Sequence, residues 1–354
     1  MALTKNATIE SKKMQFFYKN YTKNSVFFDI ETTGLNWRSS HVYLIGAAYF
    51  FDEAWHIRQW FLEKPFEEKE LLEEFSDFIS GFERVIHFNG NSFDIPYLQH
   101  KYSFYQCHEP FSEKESIDYY RILKPWKNFL GLSSMKQKDV ESYMKVQRKD
   151  SFSGGELIPL YQKYLSNGDN EILKLLYLHN LEDVTGMISL LPMLSYPHLL
   201  ELDYEDLKSA WTENGLTLSF RLTVPVPQRI QLSDLHYSLS ISSDEMVIDI
   251  YAVHTDMKHY FEDYKNYYYL PVEDTVMHKS IAAYVDSEYK EKAKASNCYQ
   301  RTKGFFLPQP CICFEPAFYA DAKNGDAYYL FSEENEQSIL NCHEYIAAIV
   351  KHFM

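Results

Sequence analysis

Apolar positions in the first half of the chain switch between a period of two and a period of 3.6. Val26-Phe27-Phe28 opens a short strand-like run that Thr32-Thr33-Gly34 ends, and His41–Phe51 and Trp55–Leu62 are rich in aromatic and β-branched residues. Three strands joined by short turns are predicted. Glu67–Ile79 then sets Leu71, Leu72, Phe75, Phe78 and Ile79 on one helical face, with its acidic run as the solvated face. Arg84–Phe88 reads as a fourth strand, Phe93–Tyr102 as a second helix, and residues 116–195 as mostly helical, closing on Asn170–Leu194. This order predicts an α/β domain over 22–195, a mixed sheet flanked by helices, after a polar, basic lead-in over 1–21.

Ser195-Tyr196-Pro197 marks a change of composition and a predicted linker. Beyond it Leu216–Val226 and Gln231–Val253 alternate like antiparallel strands, Phe305–Tyr319 is extended, and His278–Ala293 and Glu333–Phe353 look helical. Residues 205–354 are therefore expected to form a second, α+β domain. A length of 354 residues suits two domains.

Charge complicates any reading toward nucleic acid. The chain carries 35 basic and 50 acidic residues for a net −15. Residues 1–200 hold 22 basic and 26 acidic side chains (−4), and residues 201–354 hold 13 and 24 (−11). Phosphate contacts come from Lys and Arg, so an acidic chain is not the usual footprint of a nucleic-acid binder. Bound divalent cations would offset clustered carboxylates. Residues 101–150 also run the other way, with ten basic and seven acidic side chains. There Lys124, Lys127, Lys136, Lys138, Lys145, Arg148 and Lys149 are interleaved with Trp126, Phe129 and Tyr143, as a backbone-tracking surface or a solvated face. Five cysteines form no CxxC pair, and with no secretory signal they read as reduced thiols in a cytoplasmic protein. A zinc site from Cys298, Cys311, Cys313 and His343 fits no common spacing. No apolar run approaches the ~18 residues of a membrane span.

Three clusters carry candidate chemistry. In Asp29-Ile30-Glu31-Thr32-Thr33-Gly34 the strand period puts Asp29 and Glu31 side by side on one face. Adjacent like charges are costly unless cations separate them, and Mg²⁺ or Mn²⁺ takes such oxygens. In Phe88-Asn89-Gly90-Asn91-Ser92-Phe93-Asp94, Asp94 opens a predicted helix. In His179-Asn180-Leu181-Glu182-Asp183 the i, i+4 spacing sets His179 and Asp183 on one helix face. Each cluster alone also has a plain reading: turn acids, a first-turn acid on the helix dipole, and a surface His–Asp pair.

Taken in order, the clusters resemble the three motifs of the DEDD exonucleases of the ribonuclease H-like superfamily. Asp-x-Glu-Thr-x-Gly matches Asp29–Gly34, an Asn followed by Phe-Asp matches Asn89 with Phe93-Asp94, and the last helix matches His179–Asp183. The bacterial YprB-type predicted exonucleases are similar further on, through Asp118-Tyr119-Tyr120, the Ser133–Tyr143 helix, Gly155-Glu156 and Asn180 to Asp183. The resemblance implies a two-metal-ion 3′→5′ exonuclease acting on single-stranded nucleic-acid ends. It implies Asp29, Glu31, Asp94 and Asp183 as ligands of two Mg²⁺ or Mn²⁺ ions about 4 Å apart, and His179 as the group that orients or deprotonates water. Thr32, Asn89 and Phe93 would meet the terminal nucleotide. One departure stands out: relatives with tyrosine in the third motif place it four residues before the last Asp, those with histidine five, and here histidine stands four before. Net acidity and this histidine leave room for a catalytically weak nucleic-acid-binding scaffold, a phosphoesterase on small nucleotides, or a protein-interaction role for the C-terminal half.

Overall fold

A computed structural model describes residues 21–201, 203–323 and 325–354, so the expected lead-in lies, apart from Tyr21, outside the described residues. The chain divides into two compact units, one ending at Pro197 and one spanning His198–Met354.

In the first unit a five-stranded mixed sheet has the order β3-β2-β1-β4-β5. Its strands are β1 (Ser25–Thr32), β2 (Val42–Phe51), β3 (Ala54–Phe61), β4 (Arg84–His87) and β5 (Glu115–Asp118). The β1–β2–β3 meander is antiparallel, while β4 and β5 join parallel to β1. The helices are α1 (Glu68–Ser80), α2 (Asp94–Tyr105), α3 (Tyr119–Leu123), α4 (Gln137–Tyr143), α5 (Gly154–Asn167) and α6 (Asn170–Ser189). β1 is buried on both faces, with Val26, Phe27 and Phe28 at 0% exposure, as expected for the middle of a sheet covered on two sides. Phe28 meets Phe75 of α1 and Phe111 on one side, and Phe27 meets Trp55 and Tyr119 on the other.

Two expectations are corrected here. The acidic run of α1 is not wholly solvated: Glu68 is fully buried. It accepts the Val42 amide at 2.8 Å, Lys101 Nζ at 3.0 Å and the Tyr105 hydroxyl at 2.8 Å, which offsets its desolvation. The units divide at Pro197, where Ser195-Tyr196-Pro197 was expected to link them, and Tyr196 itself is buried against Trp126 and Phe129. The same contacts take Trp126 and Phe129 into the core, away from any surface that could stack on bases.

The second unit is strand-rich. β6 (Tyr204–Thr212), β7 (Gly215–Leu222), β8 (Ile230–Ser233), β9 (Tyr237–Ser242) and β10 (Glu245–Tyr251) form a sheet ordered β6-β7-β10-β9-β8. β11 (Val253–Tyr260), β15 (Tyr299–Gln309), β16 (Ala317–Phe318) and β17 (Ala327–Phe331) form a second, and β12 (Tyr267–Leu270), β13 (Thr275–His278) and β14 (Glu291–Lys292) a third. The helix expected over His278–Ala293 is only Lys279–Ala282. That segment has no apolar stripe to bury: Ala282 is buried, but Ile281 and Tyr284 are 61% and 92% exposed. Glu333–Phe353 is two helices, Glu336–Leu340 and His343–His352, rather than one.

Candidate metal centre

β1 holds Asp29 and Glu31 on one face, and its register with β2 shifts between Glu31 and Thr32. Such a bulge ends regular pairing and re-aims the side chains beside it. Asp29 pairs with Gly46 of β2, and the missing side chain there matters. A Cβ on Gly46 would lie 2.1 Å from Asn180 Oδ1, so glycine is what lets α6 lie close against the sheet. Asn180, fully buried, then donates through Nδ2 to Asp29 Oδ2 at 3.1 Å, while Gln59 Nε2 donates to its Oδ1 at 2.9 Å.

α6 also delivers His179 and Asp183, one turn apart. His179 is 3% exposed. Its Nε2 lies 3.3 Å from Glu31 Oε1 and 3.2 Å from Asp183 Oδ2, and its Nδ1 lies 2.7 Å from Asp150 Oδ2. Donor atoms of Glu31, His179 and Asp183 all lie within 4.8 Å of one another, the one such grouping of three among the described residues. Asp94 is the first residue of α2, and its carboxylate accepts its own amide and that of Ile30 in β1. Asp29 and Asp94 lie outside the trio but close enough to repel it.

The charges behave as one cluster. Burial, then the charges of Asp183, Glu31 and Asp94, push the Asp29 carboxyl well above the usual carboxylate range. Burial, then Asp183, Asp94 and Asp150, do the same to Glu31. Burial outweighs the two amides at Asp94 and, with Asp118 and Asp183, raises it to about 7. A bound divalent cation relieves this kind of strain. Carboxylate oxygens with one imidazole are also a donor set that Mg²⁺, Mn²⁺ or a neighbouring transition ion accepts, so the residues present fit a metal centre.

Two neighbours escaped the sequence reading as site residues. Asp150, in the irregular stretch between α4 and α5, holds His179 and is itself held by Lys138 Nζ at 3.2 Å and the Phe152 amide at 3.0 Å. Burial opposes its ionisation, but the Phe152 amide and His179 outweigh burial and hold its carboxyl below the usual range. Arg148 donates through Nη1 to Asp183 Oδ1 at 2.6 Å and through Nη2 to buried Glu141 Oε1 at 2.6 Å. Two of the seven basic residues expected to track a backbone are thus committed to acids of the centre. Tyr177, half-buried one turn before Leu181, packs on Phe61 away from the carboxylates.

The residues expected to meet substrate rim the same strand and loop. Thr32 Oγ1 donates to the Gly34 carbonyl at 2.9 Å. Asn89 adopts a left-handed φ of 63°, and its amide donates to Asp118 Oδ1 at 2.8 Å, with the Asn91 amide on Oδ2 at 3.3 Å. Asp118 thereby fixes the loop that carries half-buried Phe93 and Asp94. Elsewhere, Cys298 is buried while Cys311 and Cys313 lie apart from it with Sγ atoms 3.4 Å from each other, and no three-donor zinc grouping forms there among the described residues. Among the described residues, no helix is long and apolar enough to cross a membrane.

The mixed sheet, with its acids at the end of the central strand and on the last helix, defines a ribonuclease H-like domain. Residues 26–195, just under half of the chain, match the family model of the RNase_H superfamily. Over 178 residues the chain is 26% identical to an uncharacterized protein of Bacillus subtilis (strain 168), YprB; the match takes in 49% of this chain and 42% of YprB. Among solved structures, a family B DNA polymerase from Pyrobaculum calidifontis aligns at 15% identity and a TM-score of 0.40, covering 50% of this chain and 26% of the polymerase. Escherichia coli exonuclease I in complex with a dT13 oligonucleotide aligns at 10% identity and a TM-score of 0.33, covering 92% of this chain and 74% of the enzyme.

Proposed function

We propose that the first unit is a metal-dependent 3′→5′ exonuclease acting on single-stranded nucleic-acid ends by phosphodiester hydrolysis. The observation that carries this reading is the meeting of Glu31 from β1 with His179 and Asp183 from α6 at ligand distances, backed by Asp29 and Asp94. Asp29, Glu31, Asp94 and Asp183 are the proposed ligands of two Mg²⁺ or Mn²⁺ ions. Such ions supply charge for an in-line displacement at phosphorus by activating water and stabilising the leaving 3′ oxygen.

The chain's own residues do the placing. Asn180 orients Asp29, the Ile30 amide holds Asp94 against β1, and Arg148 fixes one oxygen of Asp183. His179, held by Asp150, turns Nε2 toward the centre. The backbone around Thr32, with Asn89 and Phe93, is the proposed seat of the terminal nucleotide. Incubation of the purified protein with 5′-labelled single-stranded DNA and RNA, with Mn²⁺, Mg²⁺ or EDTA, tests the reading. The expected outcome is an ion-dependent ladder shortened from the 3′ end and lost in Asp29→Ala. Ion-independent cleavage, or full activity in Asp29→Ala, would overturn it.

A further inference from the structure

The sequence assigns His179 to acid–base work on water; the geometry points to a different role. We propose that His179 is itself an ion ligand, its Nε2 completing a three-donor seat with Glu31 Oε1 and Asp183 Oδ2 that takes a first-row transition ion in preference to Mg²⁺. This rests on reading the centre as a divalent-ion site.

Ring chemistry comes first. Asp150 accepts Lys138 Nζ at 3.2 Å and the Phe152 amide at 3.0 Å, so it faces the ring as an acceptor. Its contact at 2.7 Å therefore places the Nδ1 proton, and in a neutral ring the lone pair belongs to Nε2. That lone pair faces two carboxylate oxygens, at 3.3 and 3.2 Å. With Glu31 and Asp183 ionised, as ion binding requires, these three acceptors repel unless something positive lies among them. The histidine side chain is 4% exposed, so bulk water does not relieve the contact.

Distances come second. An ion bound at about 2.1 Å by donors at right angles sets neighbouring donors about 3.0 Å apart. The two separations, 3.3 and 3.2 Å, are close to that edge length. They leave no water-sized gap between Nε2 and either oxygen, whereas a base acting on water needs one within hydrogen-bond reach.

Support around the ring comes third. Metal-ligating histidines ordinarily give their second N–H to a carboxylate, which fixes the tautomer. Asp150 stands in that place, backed by Lys138 and the Phe152 amide. It is a positioning residue. Imidazole raises affinity for transition ions above that of an all-oxygen site, whereas Mg²⁺ favours oxygen. Asp29 and Asp94, outside the trio, remain as oxygen donors for a second, harder ion.

The test uses the full chain with Mn²⁺ as the probe. Pulsed electron paramagnetic resonance of bound Mn²⁺ should show modulation from one directly coordinated ¹⁴N in the unmodified protein, which needs no variant to fold. The modulation should vanish in His179→Gln, with Mn²⁺ and Co²⁺ affinity falling more than Mg²⁺ affinity by calorimetry. Asp150→Asn should keep the modulation and weaken Mn²⁺ binding about 10–100-fold. Mn²⁺ binding that is lost in Asp183→Asn but shows no ¹⁴N modulation would overturn the ligand role and leave the nuclease reading standing. Equal Mn²⁺ affinity in His179→Gln would overturn it too. No Mn²⁺ bound at all would overturn both.

Discussion

Gly46→Ala should loosen the seam between β2 and α6 on which Asp29 depends. The added methyl would stand 2.1 Å from Asn180 Oδ1 and 2.9 Å from Val184 Cγ2, against an ordinary contact of about 3.5 Å. Neither neighbour has room to step aside. Val184 is fully buried, and the Asn180 amide is pinned at both ends, by Gln59 at 2.9 Å and on Asp29 at 3.1 Å. Either α6 retreats by about 1 Å or the amide turns out of its site. Overpacking of this kind costs about 1–3 kcal/mol, and a broken buried hydrogen bond adds about 1 kcal/mol, so a loss of about 2–4 kcal/mol is expected. Trp37, Trp55, Trp60 and Trp126, four of the five tryptophans, lie in the first unit, so their fluorescence in a urea titration follows that unit. The midpoint should fall with the slope unchanged. Mn²⁺ affinity should fall with it, because Asp29 loses its orienting donor. A variant within about 0.5 kcal/mol of the parent, the range of an inconsequential surface change, would refute the seam's importance.

Glu68→Ala should cost about 3–5 kcal/mol in the same titration, because it leaves Lys101, 3% exposed, buried beside no carboxylate; Glu70→Ala, on the exposed face of α1, should stay within about 0.5 kcal/mol. Asp94→Asn should become progressively more stable than the parent as pH rises, in EDTA. The folded carboxyl is raised from 3.8 to about 7, so its contribution is complete below 3.8 and is lost as pH climbs through about 7. Urea midpoints at several values across that window check the sign, and a gap between variant and parent that narrows with pH would contradict it. Adding Mn²⁺ should close the gap in the parent's favour, since the ion binds only the ionised site of the folded protein.

What could be read from the sequence follows the reach of each signal. Asp29 and Glu31 sit two apart on an apolar strand, and His179 and Asp183 sit four apart on a helix; both spacings are local, and the structure puts each pair on one face. Asp94 opens α2, where an Asn-Gly turn precedes it. Asp150 and Arg148 lie in an irregular stretch with no period, and only long-range packing brings them to α6. The charge of Arg148 read as a solvated face or a phosphate contact because its true partners, Glu141 and Asp183, are distant in sequence or on another helix. Glu68 misled for the same reason: the five glutamates of Glu67–Glu74 look alike until Lys101 and the Val42 amide single one out. Gly46 shows the limit most clearly. A glycine inside a strand says that something approaches closely, but not that the approaching group is the amide that steers Asp29. A catalytic-looking motif therefore marks where charged atoms begin, while the residues that aim them are chosen by contacts no spacing encodes. That is why the role of His179 turns on Asp150, a residue no motif marks.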